Sequence, residues 1–139
     1  MNELNIKGKV AVITGGAGII CSTMAKSLAA QGVKTVILDL NKESSIAVAR
    51  DIEKKSGTPS IGVSASVLDK ASLEAVKKEI NDKFGPIDIL VNGAGGNSPA
   101  ATTKVEKMDG SVTEKPEDTF FGLQIEGFEK VFDLNFKGT

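Results

Sequence analysis

No histidine, tyrosine or tryptophan occurs in this sequence, and it has a single cysteine, Cys21. Without histidine there is no Ser-His-Asp or Cys-His nucleophile system, no imidazole general base and no ordinary histidine-containing zinc site. A single cysteine can form neither an internal disulfide nor a thiolate cluster. We therefore expect no metal site in this chain.

The sequence also has no basic block and no long apolar run. Its 139 residues include 17 Lys and Arg against 18 Asp and Glu, a formal net charge of −1, which argues against nucleic acid as the main partner. No segment approaches the roughly 20 apolar residues of a membrane span. From the charged residues Glu3, Lys7 and Lys9 we expect no signal peptide at the amino terminus. We expect a single cytoplasmic domain with no membrane partner.

Apolar runs alternate with helical patterns along most of the chain. A continuous apolar strand without polar alternation indicates burial on both faces, as in a parallel sheet. Ile20, Met24 and Leu28 repeat at four-residue intervals, and Asn41 and Asp69 can cap two further helices. The predicted strands are 10–14, 35–39, 60–63 and 87–92, and the predicted helices end at Gly32, near Lys55 and at Phe84.

This alternation predicts an α/β fold, a three-layer α-β-α Rossmann fold whose parallel strands lie in the order 3-2-1-4. Such a sheet binds its ligand where the strand order reverses, at the carboxyl ends of strands one and four. A glycine turn and Asn92 both fall there. The regular pattern fails over 96–124, which we predict to be a lid or a disordered segment. A helix with Asn135 on its apolar face follows from Ile125.

The glycine turn, Gly15-Gly16-Ala17-Gly18, lies where the first strand gives way to the first helix. Gly16-x-Gly18-x-x-Cys21 matches the dinucleotide fingerprint with Cys21 in place of its last glycine. The glycines provide a tight turn and let pyrophosphate approach the N–H groups that open the helix. The alternative is a turn that only connects strand to helix. We interpret Cys21 as a small apolar filler between helix and strand.

Asp39 closes the second strand, 24 residues after Gly15. This spacing is close to the about 20 residues at which an acidic side chain meets the adenosine ribose. Its carboxylate can accept hydrogen bonds from both ribose hydroxyls and would repel a 2′-phosphate, and Lys42 is the only cation near it in sequence. NAD is therefore favoured over NADP. The alternative is a solvated or helix-capping acid at a strand end.

Two later segments extend this pattern. Leu90-Val-Asn-Gly-Ala-Gly95 follows strand four, and Phe132-Asp-Leu-Asn-Phe-Lys-Gly138 lies near the end of the sequence. Together with the glycine turn and Asp39, they make the chain resemble the short-chain dehydrogenase/reductase family. The segment from Asn92 to Thr103 looks most like the branch of D-mannonate oxidoreductases, or fructuronate reductases.

The resemblance implies that 1–139 is the NAD(P)-binding Rossmann domain of an oxidoreductase that interconverts a small hydroxy compound, such as a sugar acid, and its ketone. Asn135 matches the catalytic Asn of the family, which organises a water-mediated proton relay; the alternative is an ordinary polar residue in a helix. The residues that the resemblance assigns to the cofactor are Gly15, Gly16, Gly18 and Ile20 at the pyrophosphate, Asp39 and Leu40 at the ribose, Ser66 and Val67 at the adenine, and Asn92, Ala94 and Gly95 along the central groove.

The chain also departs from the family pattern. Ile19 and Cys21 stand where glycines are usual, Ser66 replaces an acid, and Gly93 replaces an Asn. The Tyr-x-x-x-Lys that carries proton transfer in the family is missing. We therefore expect a cofactor-binding half, truncated after the fourth strand and the following helix and inactive alone. Its unpaired fourth strand is expected to associate with another copy in a homo-oligomer.

Two other classes of function stay open. A regulatory module would bind a dinucleotide without turnover, which suits the missing tyrosine, but such a module has no use for Asn135. An S-adenosylmethionine-dependent methyltransferase also has a glycine turn and an acid after strand two, but Asn92-Gly-Ala-Gly after strand four fits it poorly. Titration with NAD, NADP and S-adenosylmethionine separates the three classes.

Overall fold

The structure, a computed structural model, describes residues 5–105 and 116–139. It divides into two compact units, which we call the sheet unit, 1–94, and the carboxyl-terminal unit, 95–139. Within the described ranges, all β-strands belong to the sheet unit, and the carboxyl-terminal unit consists of helical segments and turns.

Four parallel strands form the sheet. They are β1 (Val10–Thr14), β2 (Lys34–Asp39), β3 (Ser60–Ser64) and β4 (Ile89–Val91). Their order is β3-β2-β1-β4, and Ile13 of β1 aligns with Ile37 of β2 and with Val91 of β4. The predicted α/β fold and its strand order 3-2-1-4 are confirmed. β4 is shorter than the predicted strand 87–92.

Three helices connect the strands, and two of them begin at a side-chain cap. They are α1 (Ile19–Ala30), α2 (Lys42–Ser56) and α3 (Lys70–Phe84). The Asn41 side chain accepts a hydrogen bond from the N–H of Ser44, and the Asp69 side chain accepts from N–H groups of the first turn of α3, as N-cap residues do. α2 ends at Ser56 and is capped by Gly57, whose φ of +68° is the left-handed conformation that favours glycine.

The sheet unit has one apolar cluster on each face of the sheet, and this makes it a three-layer structure. Successive side chains of a strand point to opposite faces, so the buried β1 contributes to both clusters. The cluster under α1 and α2 comprises Ala11, Ile13, Cys21, Ala25, Ala29, Val33, Ile37, Ala49 and Ile52. The cluster under α3 comprises Val10, Val12, Val36, Leu38, Val63, Ala65, Val76 and Ile80.

The buried face of α1 differs from the one that the four-residue repeat indicates. Ile20 is 76% exposed and Met24 is 43% exposed, whereas Cys21, Ala25 and Ala29 are buried. Small side chains on the inner face let the helix backbone lie close to the sheet, and Ile20 and Met24 are left outside, whereas Leu28 is half-buried against the cluster. The repeat correctly predicts a helix but only part of the face that it buries. The interpretation of Cys21 as an apolar filler agrees with its place in the core.

The carboxyl-terminal unit is built around one short helix, α4 (Ile125–Phe132), which continues into a π-helical turn at Asp133–Lys137. A Cβ on Gly127 would lie 2.6 Å from the carbonyl carbon of Ala100, so α4 packs closely on the 3₁₀ turn Pro99–Ala101. The exposed aromatic residues of this unit are Phe120, Phe121, Phe128, Phe132 and Phe136. No helix in the described part of the chain is long and apolar enough to cross a membrane.

Part of the sequence interpretation lies outside the described residues: Glu3 at the amino terminus and 106–115 of the segment 96–124. The described parts of that segment approach each other through Lys104, whose ammonium group lies 2.6 Å from the Asp118 carboxylate. The hydrogen bond to Asp118 raises the pKa of Lys104 above its ordinary value. The assignment of 96–124 as a lid or a disordered segment stays a prediction.

Candidate functional site

The carboxyl ends of the four strands lie at one edge of the sheet, because all four strands are parallel. The order reverses between β1 and β4, which makes this edge the expected ligand site of an open α/β sheet. The predicted cofactor residues of the sheet unit lie at these ends: Gly15, Gly16, Gly18 and Ile20 after β1, Asp39 and Leu40 at β2, Ser66 and Val67 after β3, and Asn92 and Ala94 after β4.

At Gly15 and Gly16 the glycine turn after β1 has no room for a side chain. Gly15 has a φ of +61°, and a Cβ on it would lie 2.7 Å from the carbonyl oxygen of Gly93. A Cβ on Gly16 would lie 2.7 Å from the carbonyl oxygen of Ile13. The Gly18 N–H donates to the Gly15 carbonyl at 3.0 Å and closes the turn. Bare backbone is therefore required here, as in a turn that lets pyrophosphate approach.

The first turn of α1 is open to an anion. Its N-cap, Gly18, provides no side-chain hydrogen bond, and no acidic residue lies in the first turn. The first N–H groups of any α-helix lack intrahelical partners and carry the positive end of its dipole. Ile19 and Ile20 beside them are 89% and 76% exposed. The donors at this helix start suit a phosphate group.

The Asp39 carboxylate reaches across the glycine turn. Its Oδ2 accepts a hydrogen bond from the Ala17 N–H at 3.1 Å, and its Oδ1 accepts one from the Asn41 N–H at 3.2 Å. A carboxylate has about four acceptor positions, so two are left for ribose hydroxyls. Sequence reasoning finds Asp39 through its spacing from Gly15 but gives no sign of the bond to Ala17.

Thr14 is a residue of this site that sequence reasoning missed. Its hydroxyl is buried and accepts hydrogen bonds from the N–H groups of Gly93 at 3.0 Å and Ala94 at 3.1 Å. The same hydroxyl lies 3.5 Å from the carbonyl oxygen of Val91, to which it donates. Thr14 thereby fastens the segment after β4 to the end of β1. The sign of this role in the sequence is a residue with a hydroxyl group, Thr14, directly before the glycine turn.

The remaining predicted residues of this unit border the edge in different ways. Leu40 is 73% exposed, and Asn92 is also exposed. The Ser66 hydroxyl accepts from the Leu68 N–H at 3.2 Å, which shapes the loop before α3. Val67 packs against the apolar cluster under α3. Along this edge of the sheet, Leu40 therefore presents an exposed apolar side chain and Asn92 presents an exposed amide.

In the carboxyl-terminal unit, the structure brings together the predicted residues Gly95 and Asn135. The Asn135 Oδ1 accepts from the Gly96 N–H at 3.0 Å, and its Nδ2 donates to the carbonyl oxygens of Gly96 at 2.7 Å and Val131 at 2.8 Å. A Cβ on Gly95 would lie 2.6 Å from the Asn135 Oδ1. The π-helical turn that carries Asn135 is a rare element that often marks functional sites.

Comparison with known proteins agrees with this arrangement. The sequence matches the family model of short chain dehydrogenases over residues 9–139. UxuB, an uncharacterized oxidoreductase of Bacillus subtilis, is 45% identical over 134 residues, which make up 96% of this chain and 47% of the relative. Galactitol 2-dehydrogenase of Agrobacterium fabrum is 35% identical over 135 residues, which make up 97% of this chain and 44% of that relative. The chain thus spans slightly less than half the length of these curated relatives.

The solved structures agree as well. A provisionally named D-mannonate oxidoreductase from Haemophilus influenzae, solved with bound NAD, has a TM-score of 0.90 and 40% sequence identity. The match covers 96% of this chain and 47% of that one. The glycine turn, the strand order and the matched family model lead to one assignment: this chain belongs to the short chain dehydrogenase family.

Proposed function

We propose that this chain is the cofactor-binding part of an NAD-dependent oxidoreductase that interconverts a small hydroxy compound and its ketone. The proposal depends on one arrangement at the carboxyl ends of β1 and β2. A glycine turn with no room for side chains at Gly15 and Gly16, a helix start with unpaired donors and the Asp39 carboxylate lie side by side. These groups match the pyrophosphate and the adenosine ribose of a dinucleotide. The oxidoreductase names of the relatives support the same class.

In this proposal each group has a defined part in holding the cofactor. Gly15, Gly16 and Gly18 leave space for the pyrophosphate, and the N–H groups that open α1 bind its charge. Asp39 binds the ribose hydroxyls, with Leu40 beside it. The further contacts are Ile20 at the pyrophosphate, Ser66 and Val67 at the adenine, and Asn92, Ala94 and Gly95 along the central groove.

We also propose that NAD is preferred over NADP. A 2′-phosphate on the adenosine ribose would stand against the Asp39 carboxylate, and two like charges in contact repel each other. A protein that prefers the phosphorylated cofactor needs a cation at this place, such as an Arg. The sole arginine of the chain, Arg50, lies within α2 and not at the end of β2. The NAD bound to the Haemophilus influenzae protein supports this preference.

When bound, the nicotinamide ring accepts or donates the hydride. Asn135 is proposed to organise the water-mediated proton relay. Proton transfer itself needs an acid or base at the substrate oxygen. The chain has neither tyrosine nor histidine, so we propose that this group lies outside the 139 residues. The isolated chain should therefore bind NAD but not turn over substrate.

The proposed substrate is a sugar acid or another polyhydroxy compound, and the proposed site of action is the cytoplasm. The names of two similar proteins, a D-mannonate oxidoreductase and a galactitol 2-dehydrogenase, support a substrate with several hydroxyl groups. The balanced charge and the single cysteine support the cytoplasm.

Titration calorimetry of the purified 139-residue chain tests the proposal. We expect NAD to bind, NADP to bind at least about tenfold more weakly, since about 1.4 kcal/mol of repulsion is enough for that factor, and S-adenosylmethionine not to bind. Gly15→Ala is the control, because its Cβ would strike the Gly93 carbonyl, and this variant should lose NAD binding. Binding of S-adenosylmethionine alone would overturn the proposal.

Turnover measurements address the alternative, a regulatory module that binds the dinucleotide without chemistry. Steady-state oxidation of NADH with sugar-acid ketones by a longer form of the protein would exclude that module. Turnover by the isolated 139-residue chain would contradict the proposal that the proton donor lies elsewhere.

A further inference from the structure

Gly93 is held between three residues of the glycine turn and its flanks. Its carbonyl oxygen lies against Gly15, its N–H donates to the Thr14 hydroxyl at 3.0 Å, and its Cα faces the sulfur of Cys21. Thr14 comes before the turn and Cys21 follows it, in α1. The position of Gly93 therefore fixes the segment after β4 relative to both ends of the turn.

A side chain at position 93 has no room. A Cβ built on Gly93 would overlap the Cys21 Sγ and would lie 2.8 Å from the carbonyl oxygen of Thr14. The Cys21 Cβ, by contrast, would be 3.6 Å away, which is an ordinary van der Waals contact. Of the atoms of Cys21, only the sulfur would block a side chain at position 93. The Thr14 carbonyl oxygen belongs to the backbone at the end of β1, so a side chain at position 93 would also require a shift of that backbone.

Gly93 has one open side and one closed side. The residue as a whole is exposed, whereas Cys21 is 9% exposed and belongs to the cluster under α1. On the open side, the backbone of Gly93 faces the edge of the sheet where β1 and β4 end. Anything larger at the closed side would push this backbone toward the proposed cofactor groove.

We propose that Cys21 is a positioning residue of the dinucleotide site. Its sulfur occupies the space that a side chain at position 93 would need. Cys21 and Gly93 thus form a matched pair that sets the spacing between the glycine turn and the segment after β4. The inference rests on the proposed function where it concerns cofactor binding. It differs from ordinary core packing, in which Cys21 would contribute the same stability whatever residue stood at position 93.

A double-mutant cycle with C21A, G93A and C21A/G93A tests the pair, with NAD affinity from calorimetry and the midpoint of urea unfolding as readouts. G93A is expected to weaken NAD binding at least about tenfold, equal to about 1.4 kcal/mol, and to lower the midpoint. C21A alone should weaken binding by about threefold through the looser contact. C21A/G93A should bind NAD more tightly than G93A, because contacting residues are not additive, but more weakly than C21A, because the Thr14 carbonyl oxygen still crowds the added methyl group.

G16A and C21A/G16A form the matched control. A Cβ on Gly16 would lie 2.7 Å from the carbonyl oxygen of Ile13 and 2.9 Å from the Ile37 Cγ2, and Cys21 is not among its nearest atoms. The C21A change should therefore leave the G16A defect as it is. Equal rescue of both glycine variants would indicate general loosening and would overturn the matched pair.

Two further results would overturn the inference: G93A that binds NAD like the wild type, or C21A/G93A that is no better than G93A. If G93A does not fold, recovery of a cooperative transition in the double variant supports the pair. If the wild type does not bind NAD, the proposed function fails. The unfolding midpoints still test the pair in that case, and additive midpoints would overturn it.

Discussion

Among single residues, one hydroxyl and one carboxylate organise the backbone around the glycine turn. The Thr14 hydroxyl has two acceptor positions and one donor, and it accepts from Gly93 and Ala94 and donates to Val91. All of its hydrogen-bonding capacity is therefore used inside the protein. The Asp39 carboxylate, in contrast, binds the Ala17 N–H and keeps acceptor positions for a ligand.

Thr14→Val should destabilise the fold, because valine has nearly the shape of threonine but cannot accept the two N–H bonds. We expect a loss of about 1–3 kcal/mol in the free energy of unfolding, since two hydrogen bonds of about 0.5–1.5 kcal/mol each are removed. Urea unfolding measures it. Thr14→Ser keeps the hydroxyl and should recover most of the loss. Wild-type stability of the valine variant would contradict this role.

Substitutions at Asp39 should separate charge from positioning. Asp39→Asn removes the negative charge but keeps one acceptor oxygen, so NADP affinity should rise relative to NAD by about tenfold, or about 1.4 kcal/mol. Asp39→Ala also leaves the Ala17 N–H without its partner and should weaken both cofactors. Calorimetric titration of each variant with both cofactors measures these ratios. An unchanged ratio in Asp39→Asn would mean that the carboxylate does not select the cofactor.

The sequence predicts which residues line this site better than it predicts their contacts. Gly15 and Asp39 follow from the strand pattern, because parallel strands bring their carboxyl ends to one edge. The hydrogen bond from the Ala17 N–H to Asp39 and the close contact between Cys21 and Gly93 depend on rotamers and on backbone spacings of fractions of an ångström. Periodicity does not encode such distances.

Among the elements, β4 is tied to β1 by a side chain at its start. The Asp88 Oδ2 accepts from the Val10 N–H at 2.9 Å, and its Oδ1 lies 2.8 Å from the ammonium group of Lys9. The carboxylate thus bonds the Val10 N–H directly before β4, which begins at Ile89 rather than at the predicted 87. The hydrogen bond from Lys9, followed by that from Val10, holds the pKa of Asp88 below its ordinary value.

The lowered pKa of Asp88 predicts a pH-dependent contribution to stability. Since the pKa is lower in the folded than in the unfolded chain, the ionised carboxylate stabilises the fold above the unfolded-state pKa. This contribution is lost as the pH falls through the folded-state pKa. Asp88→Asn should therefore lower the melting temperature near neutral pH and match the wild type in strong acid.

Calorimetric melting over a series of pH values measures this difference. Asp82→Asn is the matched control, because Asp82 pairs with Lys78 on the exposed surface of α3 and such pairs contribute little. A difference between Asp88→Asn and the wild type that stays constant down to strong acid would contradict the role of the ionised carboxylate.

The helices show where sequence patterns stop being informative. The caps Asn41 and Asp69 predict where α2 and α3 begin, because capping is a local interaction. The buried face of α1 depends on how closely the helix approaches the sheet, which is a tertiary property. That distance places Cys21 and Ala25 inside and leaves Ile20 at the surface.

For the molecule as a whole, β4 is one of the two edge strands of the sheet, β3 being the other. Among the described residues β4 pairs with β1 alone, and Leu90 in its middle is 58% exposed. A strand margin with free backbone groups is a template for pairing with another chain. This arrangement supports the proposal that the chain forms a homo-oligomer.

Size-exclusion chromatography with light scattering should find the purified chain in species larger than the 14.5 kDa monomer. Leu90→Lys should shift the population toward the monomer, because a charged side chain on a margin strand opposes pairing. Leu68→Lys is the control, since Leu68 is 54% exposed but lies outside the strands. A wild-type chain that elutes as a monomer would contradict association through β4.

The hydrogen bonds of Thr14 and Asp39 also predict how fast a nucleotide would bind. A loop that is already ordered gives up little conformational entropy when it is occupied. Capture should then be a single-step encounter whose rate rises linearly with nucleotide concentration, without the plateau that a slow rearrangement imposes. The loop would already be ordered in the folded protein before a nucleotide binds.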